Sequence, residues 1–468
     1  MKRTFFILLL ITNYSLLIVQ SFGQSITWQR VYDLANRDDA ASDVCQSSDG
    51  YFYAVGYAIG TFNSGGFILK LSGNGDTLWN KIITSIGNAR AVVPTNDGGC
   101  VLTGHADSTY TIKLSSSGNI VWQKFYGSND VVCNDIIYTT DGNYIISGYD
   151  RNGPDKGFVM KVDSIGNLIW QRIYVTNGDM YLGTVVEAID GRYVVSGSVY
   201  EQNIWQAYLF KIDTSGNVVW EKRFRFNNSY TSAGHLARLP DGYLIGGNTD
   251  NTRKPYFART NLNGDTIFSK IFQFLDDEYL SGLKIAGSNK YVLSILTTLK
   301  IDSTARVIVT DSTGNIQKQR IFTYGQYASF PAVLPLSNGD IVFAGSAEPP
   351  SGQWYDTYII RTDSNLNAPP IGIRPVTNEI PKMFYLEQNF PNPFNTNTII
   401  SYSLPEGREI KLVIYDVLGR EVAILENGYK FAGRYQTKWN ASNVSSGTYI
   451  LKLYTTKITL TRKMILIK

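Results

Sequence analysis

The sequence is poor in the side chains that most enzymes use for chemistry. Its 468 residues include only two His and three Cys, and no two Cys are spaced as CxxC. No HExxH, GxSxG, P-loop or βαβ dinucleotide-binding motif occurs. The isolated Cys45, Cys100 and Cys133 give neither a disulfide framework nor a zinc site. We expect these Cys to be small buried side chains, with one disulfide as the alternative. For the chain as a whole we predict no catalytic residue, no metal and no cofactor.

A strong net charge is also missing. Lys and Arg number 43 against 39 Asp and Glu, which gives a formal net charge of +4. This balance gives no electrostatic support for a nucleic-acid partner. Of the two His, His105 is expected in a loop, and His235 is expected to be a hydrogen-bonded core residue rather than a general base.

The N-terminus carries the one long apolar run of the chain. Residues 5–19 are mostly apolar, Lys2 and Arg3 precede them, and the small residues of 21–23 follow. This order of charge, apolar run and small residues predicts a secretory signal peptide over residues 1–24. A retained membrane anchor is the alternative, which the shortness of the run disfavours.

A repeat fills residues 25–366 and decides the predicted fold. Each copy has an Asp-Gly pair or its equivalent and, later, the pattern Lys-x-Asp/Ser-x-x-Gly-Asn/Asp-x-x-Trp-x-Lys, best seen in residues 211–222. A period of about 40–50 residues with four short strands is typical of a β-propeller blade. The first pair recurs every 44 to 51 residues, at Asp49-Gly50, Asp97-Gly98, Asp141-Gly142, Asp190-Gly191, Asp241-Gly242, Ser288-Asn289 and Asn338-Gly339.

Counting the fourth strands predicts seven blades. The opening segment, residues 26–32, is a lone fourth strand, and the last copy lacks one. We therefore predict that the opening strand completes the last blade and closes the ring, because an open array would leave free sheet edges. Each fourth-strand Trp is expected to pack on the adjoining blade and to donate its indole N–H to a backbone carbonyl. The fourth-strand positions are Trp28, Trp79, Trp122, Trp170, Trp220, Phe268 and Lys318.

The pattern Asp213-x-x-Gly216-x-x-x-Trp220 resembles the tryptophan-docking repeat of quinoprotein-type propellers. That resemblance covers about ten residues of each repeat and implies a fold rather than an activity. Members that use pyrroloquinoline quinone carry an adjacent pair of Cys, which this sequence lacks. The resemblance therefore implies no quinone cofactor here.

The connections between strands two and three, and between blades, vary in length and are rich in aromatic residues. Both open on the same face of a propeller, so this variable face is a candidate surface for a protein or glycan ligand. The alternative is that these rings cover loop ends against the core. An enzymatic alternative is a glycan-active hydrolase or lyase using loop carboxylates. The predicted ligand-binding residues are Tyr149, Tyr200, Trp205, Tyr256, Tyr327, Trp354 and Tyr355.

A second β unit follows a Pro-containing linker at residues 367–383. Alternating apolar residues predict six or seven strands over residues 384–468, which suggests a small Ig-like β-sandwich. This unit carries eleven Lys and Arg against six Asp and Glu, whereas residues 25–383 are slightly acidic. The predicted fold class is therefore all-β, with a seven-bladed propeller followed by a sandwich.

Residues 384–468 resemble the type A C-terminal sorting domain of the type IX secretion system of Bacteroidota. The matching segments are Asn389–Asn395, Ile414–Val422, Ala432–Tyr435, Ser446–Tyr449 and Lys463–Lys468. Within them the motif residues are Pro391, Pro393, Asp416, Gly419, Gly433, Tyr435, Gly447, Tyr449 and Lys468. Pro391 and Pro393 are expected to stiffen the entry to the sandwich, and the three Gly to occupy turns. A generic Ig-like interaction domain is the alternative.

The resemblance implies an export tag rather than a catalyst. Members of the family cross the inner membrane by a signal peptide, and the type IX translocon recognises the folded tag. A sortase-like peptidase commonly removes the tag, and the cargo is attached to surface lipopolysaccharide or released. The resemblance thus implies a secreted or cell-surface protein.

Overall fold

The computed structural model describes 14 segments of the chain, and the statements below concern those segments. The predicted signal peptide, Pro391 and most of the predicted linker lie outside them. The described residues contain no helix, and so none that is long and apolar enough to cross a membrane. The described segments are 26–34, 38–60, 64–106, 108–127, 131–226, 229–249, 253–274, 277–298, 303–349, 354–369, 383–389, 392–406, 408–430 and 433–468.

The chain divides into two compact units, residues 1–375 and 376–468. The first unit contains seven antiparallel four-stranded sheets, which confirms the predicted seven blades. The first strand of the chain is β1 (Trp28–Tyr32). Blades one to three contain β2 (Asp39–Gln46), β3 (Phe52–Ile59), β4 (Ser64–Leu71) and β5 (Thr77–Ile83); β6 (Asn88–Pro94), β7 (Cys100–His105), β8 (Thr109–Leu114) and β9 (Ile120–Tyr126); and β10 (Val131–Tyr138), β11 (Tyr144–Asp150), β12 (Lys156–Val162) and β13 (Leu168–Tyr174).

The remaining blades repeat the same order. Blades four and five contain β14 (Met180–Glu187), β15 (Tyr193–Glu201), β16 (Ile204–Ile212) and β17 (Val218–Phe224); and β18 (His235–Leu239), β19 (Gly242–Thr249), β20 (Lys254–Asn261) and β21 (Thr266–Ile271). Blade six contains β22 (Asp277–Ala286), β23 (Lys290–Thr298), β24 (Ser303–Asp311) and β25 (Ile316–Phe322). Blade seven contains β26 (Ala328–Pro335), β27 (Ile341–Ala347) and β28 (Asp356–Thr362), and β1 is its fourth strand.

The ring closes where the sequence predicts. β1 pairs antiparallel with β28, with Trp28 opposite Arg361 and Tyr32 opposite Thr357. The buried Arg361 guanidinium donates from Nη2 to Asp340 at 2.8 Å and from Nη1 to the carbonyl of Gly73 at 3.0 Å. Because Gly73 belongs to the first blade, this side chain joins the last blade to the first.

The fourth-strand Trp of each of five blades lies on a turn Gly of the next blade. A Cβ added to Gly75, which has φ +79°, would come within 2.6 Å of Trp28 Cδ2, so only Gly allows the indole to lie so close. The Trp28 indole N–H donates to the carbonyl of Gly73 at 3.0 Å, as predicted. The other pairs are Trp79 with Gly118, Trp122 with Gly166, Trp170 with Gly216, and Trp220 with Gly264.

The joint between blades six and seven uses different residues. Lys318 occupies the Trp position of blade six, and its ammonium donates to the carbonyl of Ser364 at 2.8 Å and to Asn365 Oδ1 at 2.6 Å. The turn residue opposite it is Leu366, which adopts a positive φ of 65°. Because no indole covers that turn, a side chain fits where the Trp-containing joints need Gly.

The hydrophobic core consists of clusters between neighbouring blades. One cluster joins Tyr53 and Val55 of the first blade to Leu102 and Tyr110 of the second. Cys45, Cys100 and Cys133 are buried in strands, as expected. The expected loop residue His105 is instead the last residue of β7.

The second unit is a two-sheet sandwich, as the sequence predicts. Its core includes Leu386, Ile400, Leu412, Trp439 and Leu451. The three-stranded sheet contains β29 (Tyr385–Leu386), β30 (Asn397–Leu404) and β33 (Gly433–Asn440). The four-stranded sheet contains β32 (Glu421–Lys430), β31 (Arg408–Asp416), β34 (Gly447–Thr455) and β35 (Thr459–Leu466).

Replacing Trp28 with Ala is expected to destabilise the propeller. The side chain is only 4% exposed, so its loss leaves a cavity at the closing joint and removes a hydrogen bond. Losses of this kind cost about 3–5 kcal/mol in the free energy of unfolding. Thermal and denaturant unfolding of the purified protein measure it. Trp354→Ala, at a Trp that is 42% exposed, is the matched control and should change stability little. Equal stability of both variants would show that closure does not depend on this joint.

Candidate functional site

Four aromatic rings form one continuous group on the variable face, here called the aromatic cluster: Tyr149, Tyr181, Tyr200 and Trp205. The rings of Tyr149 and Tyr181 meet edge to face, with centroids 4.8 Å apart. Tyr181 stacks on Trp205 with centroids 5.3 Å apart and an interplanar angle of 26°. Trp205 also contacts Tyr200 at 5.3 Å. Three of the seven predicted ligand-binding residues thus come together, and Tyr181 joins them.

Strand ends of blades three and four position these rings. Tyr200 and Trp205 are paired across the β15–β16 hairpin, whose two turn residues, Gln202 and Asn203, have φ of 53° and 63°. A two-residue turn with positive φ at both positions matches the twist of the strands and fixes their register. Tyr149 lies at the end of β11, and Tyr181 at the start of β14. All four rings are half-buried, so each keeps a solvent-facing part.

Charged groups surround the rings. The Arg151 guanidinium lies 5.5 Å from the centre of the Tyr149 ring and donates to its hydroxyl at 3.1 Å. A hydrogen bond to Asp155, followed by partial burial, raises the pKa of Tyr181 well above its usual value, so its hydroxyl keeps its proton. On the other side, Arg223 pairs with Glu201 at 2.9 Å. The cluster is therefore an apolar strip bordered by acids and guanidinium groups.

The other predicted ligand-binding residues lie elsewhere. Tyr327 and Tyr355 meet edge to face at 5.0 Å, next to the closing blade, and Trp354 precedes Tyr355 in the chain at 42% exposure. Tyr256 is fully buried, and its hydroxyl donates to the carbonyl of Ser232 at 2.9 Å. The expectation that Tyr256 contacts a ligand is wrong in this conformation, because its alternation in β20 directs the ring between blades five and four.

A central cavity of about 540 Å³ is lined by the first strands of the blades. Asp43, Asp135, Arg90 and Lys284 contribute charged groups to its wall. The wall also includes His235, whose Nε2 lies 3.4 Å from the carbonyl of Leu280, and burial lowers its pKa to about 4. His235 is therefore a neutral hydrogen-bonded wall residue, as the sequence suggests.

The two cavity carboxylates connect neighbouring blades. Asp43 accepts a hydrogen bond from the backbone N–H of Val92 in the second blade at 2.9 Å. Asp135 accepts one from Val185 in the fourth blade at 2.9 Å. Burial raises the pKa of both carboxyls, to about 7 for Asp135. Each follows a β-bulge in its first strand, which turns the carboxylate toward the next blade.

Three carboxylates lie close together at the closing seam, and these are the described residues that could hold a cation. Oxygens of Asp33, Asp39 and Asp356 lie within 4.8 Å of one another. Asp39 is fully buried and accepts hydrogen bonds from the N–H groups of Leu34 at 2.9 Å and Thr357 at 2.8 Å. Burial raises the pKa of both Asp39 and Asp356 to about 7, and neighbouring acids contribute to the rise for Asp356. The seam therefore gains negative charge near neutral pH.

The motif residues of the sandwich have mostly structural contacts. Tyr449 is buried and donates to the carbonyl of Ser445 at 2.6 Å, and Tyr435 stacks on Tyr402 at 5.2 Å. The ammonium of Lys468 donates to the carbonyl of Ser442 at 2.5 Å.

The motif glycines differ from one another. Gly419 has a φ of 82°, as expected for a turn. Gly433 and Gly447 are instead the first residues of β33 and β34, which corrects the expectation that they occupy turns. Pro393 lies in the described segment that leads into β30, and it follows a cis peptide bond.

Comparison with known proteins adds two findings about the chain. Residues 388–468 match the sequence model of the family described as secretion system C-terminal sorting domain. These residues are a type IX sorting domain. The sorting domain implies export through the type IX system, interaction with its machinery, and a location at the cell surface or outside the cell. No curated protein matches the chain.

Solved structures that are similar to the chain share little sequence identity with it, 11% to 12% in the three examples that follow. A structure of puromycin hydrolase has a TM-score of 0.50 at 12% identity, covering 81% of this chain and 61% of the hydrolase. The WD40 domain of Pan2 from Neurospora crassa has a TM-score of 0.47 at 11% identity, covering 71% and 91%. Sqt1 from Chaetomium thermophilum has a TM-score of 0.44 at 11% identity, covering 80% and 97%. At such identities the likeness concerns the fold alone.

The seam carboxyls predict a pH-dependent stability. The pKa of Asp356 is about 7 in the folded protein and about 3.9 in an unfolded chain. Its stabilising contribution is therefore complete below about pH 4 and is lost as the pH rises through about 7. Asp356→Asn should reduce the loss of thermal stability between about pH 5 and about pH 8, by about 2–4 °C in the unfolding midpoint. Thermal unfolding of the parent protein and of the variant at the two pH values measures this difference. If the unfolding midpoint of the variant falls with pH as much as that of the parent, Asp356 is not the group responsible.

Proposed function

We propose that the protein is a non-enzymatic scaffold of the cell surface whose propeller binds a glycan through the aromatic cluster. The observation that supports this most is the meeting of Tyr149, Tyr181, Tyr200 and Trp205 in one half-exposed strip on the variable face. Rigid aromatic rings supply a large contact area at a small loss of conformational entropy. Sugar rings present apolar C–H faces and a rim of hydroxyls, which match a strip of rings bordered by charged groups.

A recess beside the cluster supports the same proposal. A cavity of about 220 Å³ is lined by Tyr181 together with polar groups that include Asn134, Ser198, Ser232 and Asn248. Hydroxyl and amide groups of this kind can donate to and accept from the hydroxyls of a sugar. A ligand that lies on the rings can therefore extend one polar residue into the recess.

The enzymatic alternative, a glycan-active hydrolase or lyase, has less support. The cavity carboxylates Asp43 and Asp135 accept backbone hydrogen bonds from the neighbouring blades, at 2.9 Å in each case. A glycosidase needs two carboxylates that face the bond to be cleaved. The geometry therefore favours a structural role for these two groups.

For the export route we propose the complete sequence of steps that the family resemblance implies. Residues 1–24 act as the signal peptide, residues 25–366 are the propeller cargo, residues 367–383 are the linker, and residues 384–468 are the tag. The tag crosses the outer membrane with the cargo and is removed by a sortase-like peptidase. The propeller is then attached to surface lipopolysaccharide or released.

Replacing Trp205 with Ala should weaken glycan binding at least tenfold, about 1.4 kcal/mol, because Trp205 contacts two of the other rings. A glycan array followed by calorimetry on the best-bound glycan measures the affinity. Trp205→Phe should keep part of it, and unfolding midpoints confirm that the variants are folded.

Tyr138→Ala is the matched control, since Tyr138 is a 45% exposed aromatic residue at the end of β10, outside the cluster, and the affinity of this variant should equal that of the parent protein. Unchanged affinity of Trp205→Ala contradicts the assignment of the cluster. Binding of proteins but of no glycan on the array contradicts the ligand class.

Removal of residues 384–468 should keep the protein in the periplasm. The propeller then lacks the domain that the translocon recognises, whereas the propeller itself keeps its fold. Cell fractionation and surface proteolysis in a type IX-competent host measure the distribution. Surface display of the shortened protein at the parental level would refute export through the tag.

A further inference from the structure

The closing seam of the propeller brings together three carboxylates from separate segments of the chain. Oxygens of Asp33, Asp39 and Asp356 lie within 4.8 Å of one another. The pairing of β1 with β28 sets Tyr32 opposite Thr357, so the next positions of the same register are Asp33 and Asp356. Like charges directly opposite each other in an antiparallel pair are destabilising. A cation or bound protons must therefore offset the repulsion at this seam.

Asp39 is the inner member of the group, where bulk water does not reach it. The residue is fully buried, and its carboxylate accepts the N–H groups of Leu34 at 2.9 Å and Thr357 at 2.8 Å, one on each oxygen. Its own N–H donates to the carbonyl of Tyr355 at 2.7 Å. Each carboxylate oxygen has a second lone pair that these bonds leave available. The carboxylate is thus fixed in position and can still coordinate a cation.

A buried hydroxyl beside Asp39 is the second observation that points to a ligand. Thr357 is 0% exposed, and its hydroxyl makes no hydrogen bond of normal geometry. Burial raises the pKa of Asp39, and the adjacent Thr357 hydroxyl opposes that rise, which places the hydroxyl next to the carboxylate. A buried hydroxyl without a partner is unfavourable, so a further group at this point would satisfy it.

The carboxylate of Asp356 is likewise not compensated. It is half-buried, and burial together with the neighbouring acids Asp33 and Asp38 raises its pKa. No hydrogen-bond donor and no cation of the described segments counters that rise. The seam therefore offers several oxygen atoms whose combined charge is negative.

We propose that the three seam carboxylates bind a calcium ion, with the Thr357 hydroxyl as a further ligand. Calcium accepts about six to eight oxygen ligands in a flexible geometry, so water can complete the shell that these side chains begin. Magnesium demands a near-ideal octahedron, and structural zinc prefers nitrogen and sulfur ligands, which this group does not supply. The sorting domain implies export, and extracellular modules bind calcium with a Kd of about 10⁻⁴–10⁻³ M.

The ion joins strands that come from both ends of the propeller. Asp33 follows the end of β1, Asp39 begins β2, and Asp356 begins β28. β1 is the outermost strand of its sheet and pairs with β28. An ion held by Asp33 and Asp356 therefore adds a second link between the opening strand and the last blade. This inference does not depend on glycan binding.

Thermal unfolding of the purified full-length protein, in EDTA and in about 5 mM calcium chloride, tests the proposal. Both buffers contain about 0.15 M sodium chloride, so that general screening of charge is constant. The unfolding midpoint of the parent protein should rise by about 2–4 °C in calcium, because the ion binds the folded state. Calorimetric titration should show one calcium ion per chain.

Asp356→Asn removes one charged ligand and should lower the calcium affinity at least tenfold, with loss of most of the rise in midpoint. In EDTA the variant should be at least as stable as the parent protein, because one repelling charge is gone. Gain in EDTA together with loss of the calcium response separates a ligand from a residue that merely supports the fold.

Glu221→Gln is the matched control. Glu221 also has an acidic neighbour, Glu201, but Arg223 pairs with both, at 2.8 Å and 2.9 Å. This variant should respond to calcium like the parent protein. Thr357→Val keeps the shape of the buried side chain and should lower the affinity about threefold or more. Unchanged affinity of Thr357→Val would remove the hydroxyl from the ligand set.

Three outcomes would overturn the proposal. If calcium leaves the midpoint of the parent protein unchanged, protons rather than a cation neutralise the seam. If about 5 mM magnesium raises the midpoint as much as calcium does, the effect is unselective compensation of charge. If Asp356→Asn responds to calcium like the parent protein, the ion binds elsewhere. None of these results changes with the glycan affinity of Trp205→Ala, so the two proposals fail separately.

Discussion

The contact between a fourth-strand indole and a turn glycine of the next blade is the constraint on which the propeller depends. Trp28 lies so close to Gly75 that a single Cβ there would overlap its ring. The same contact recurs at four further joints, so it places the neighbouring blades at five of the seven joints. The repeated Gly and Trp of the sequence are thus two halves of one interface, and the interface lies between blades rather than within them.

Closure adds a second constraint, because one sheet is made from both ends of the propeller. β1 pairs with β28, and Arg361 reaches the carbonyl of Gly73 across the seam. Contacts between residues so far apart in sequence carry a high loop-closure entropy cost, which slows folding. Three carboxylates, those of Asp33, Asp39 and Asp356, lie at this same seam. The place where the two ends of the propeller meet is therefore also a place where acids are concentrated.

The repeat made the architecture predictable, whereas the site was predictable only in part. The lone strand that contains Trp28 and the missing fourth strand of the last copy were enough to predict closure, because leaving them unpaired would leave free sheet edges. Tyr149, Tyr200 and Trp205 are predicted because strand ends next to variable connections face solvent, and the structure brings their rings into one cluster with Tyr181. Tyr181 was missed, although it follows such a connection at the start of β14. Tyr256 was misjudged because β20 is buried on both faces here: Tyr256 packs in one interface between blades and the next residue, Phe257, packs in the other.

The bulges explain why the cavity groups were not foreseen. An extra residue in the first strand shifts the alternation, so the sequence pattern alone does not tell which side Asp43 and Asp135 face. Their backbone partners lie in neighbouring blades, 49 and 50 positions away in sequence. The propeller thus uses buried polar groups to hold the inner strands in register, and aromatic groups to hold the outer ones.

The joint between Lys318 and Leu366 restricts how such a protein can be rearranged by recombination. A Trp introduced at position 318 would overlap the side chain of Leu366. A Gly introduced at position 366 would remove that side chain, and Lys318 has no indole ring to pack in its place. Blades six and seven therefore form a matched couple, which gene duplication or shuffling can transfer together but not singly. The blades that share the indole-on-glycine joint are interchangeable parts by comparison.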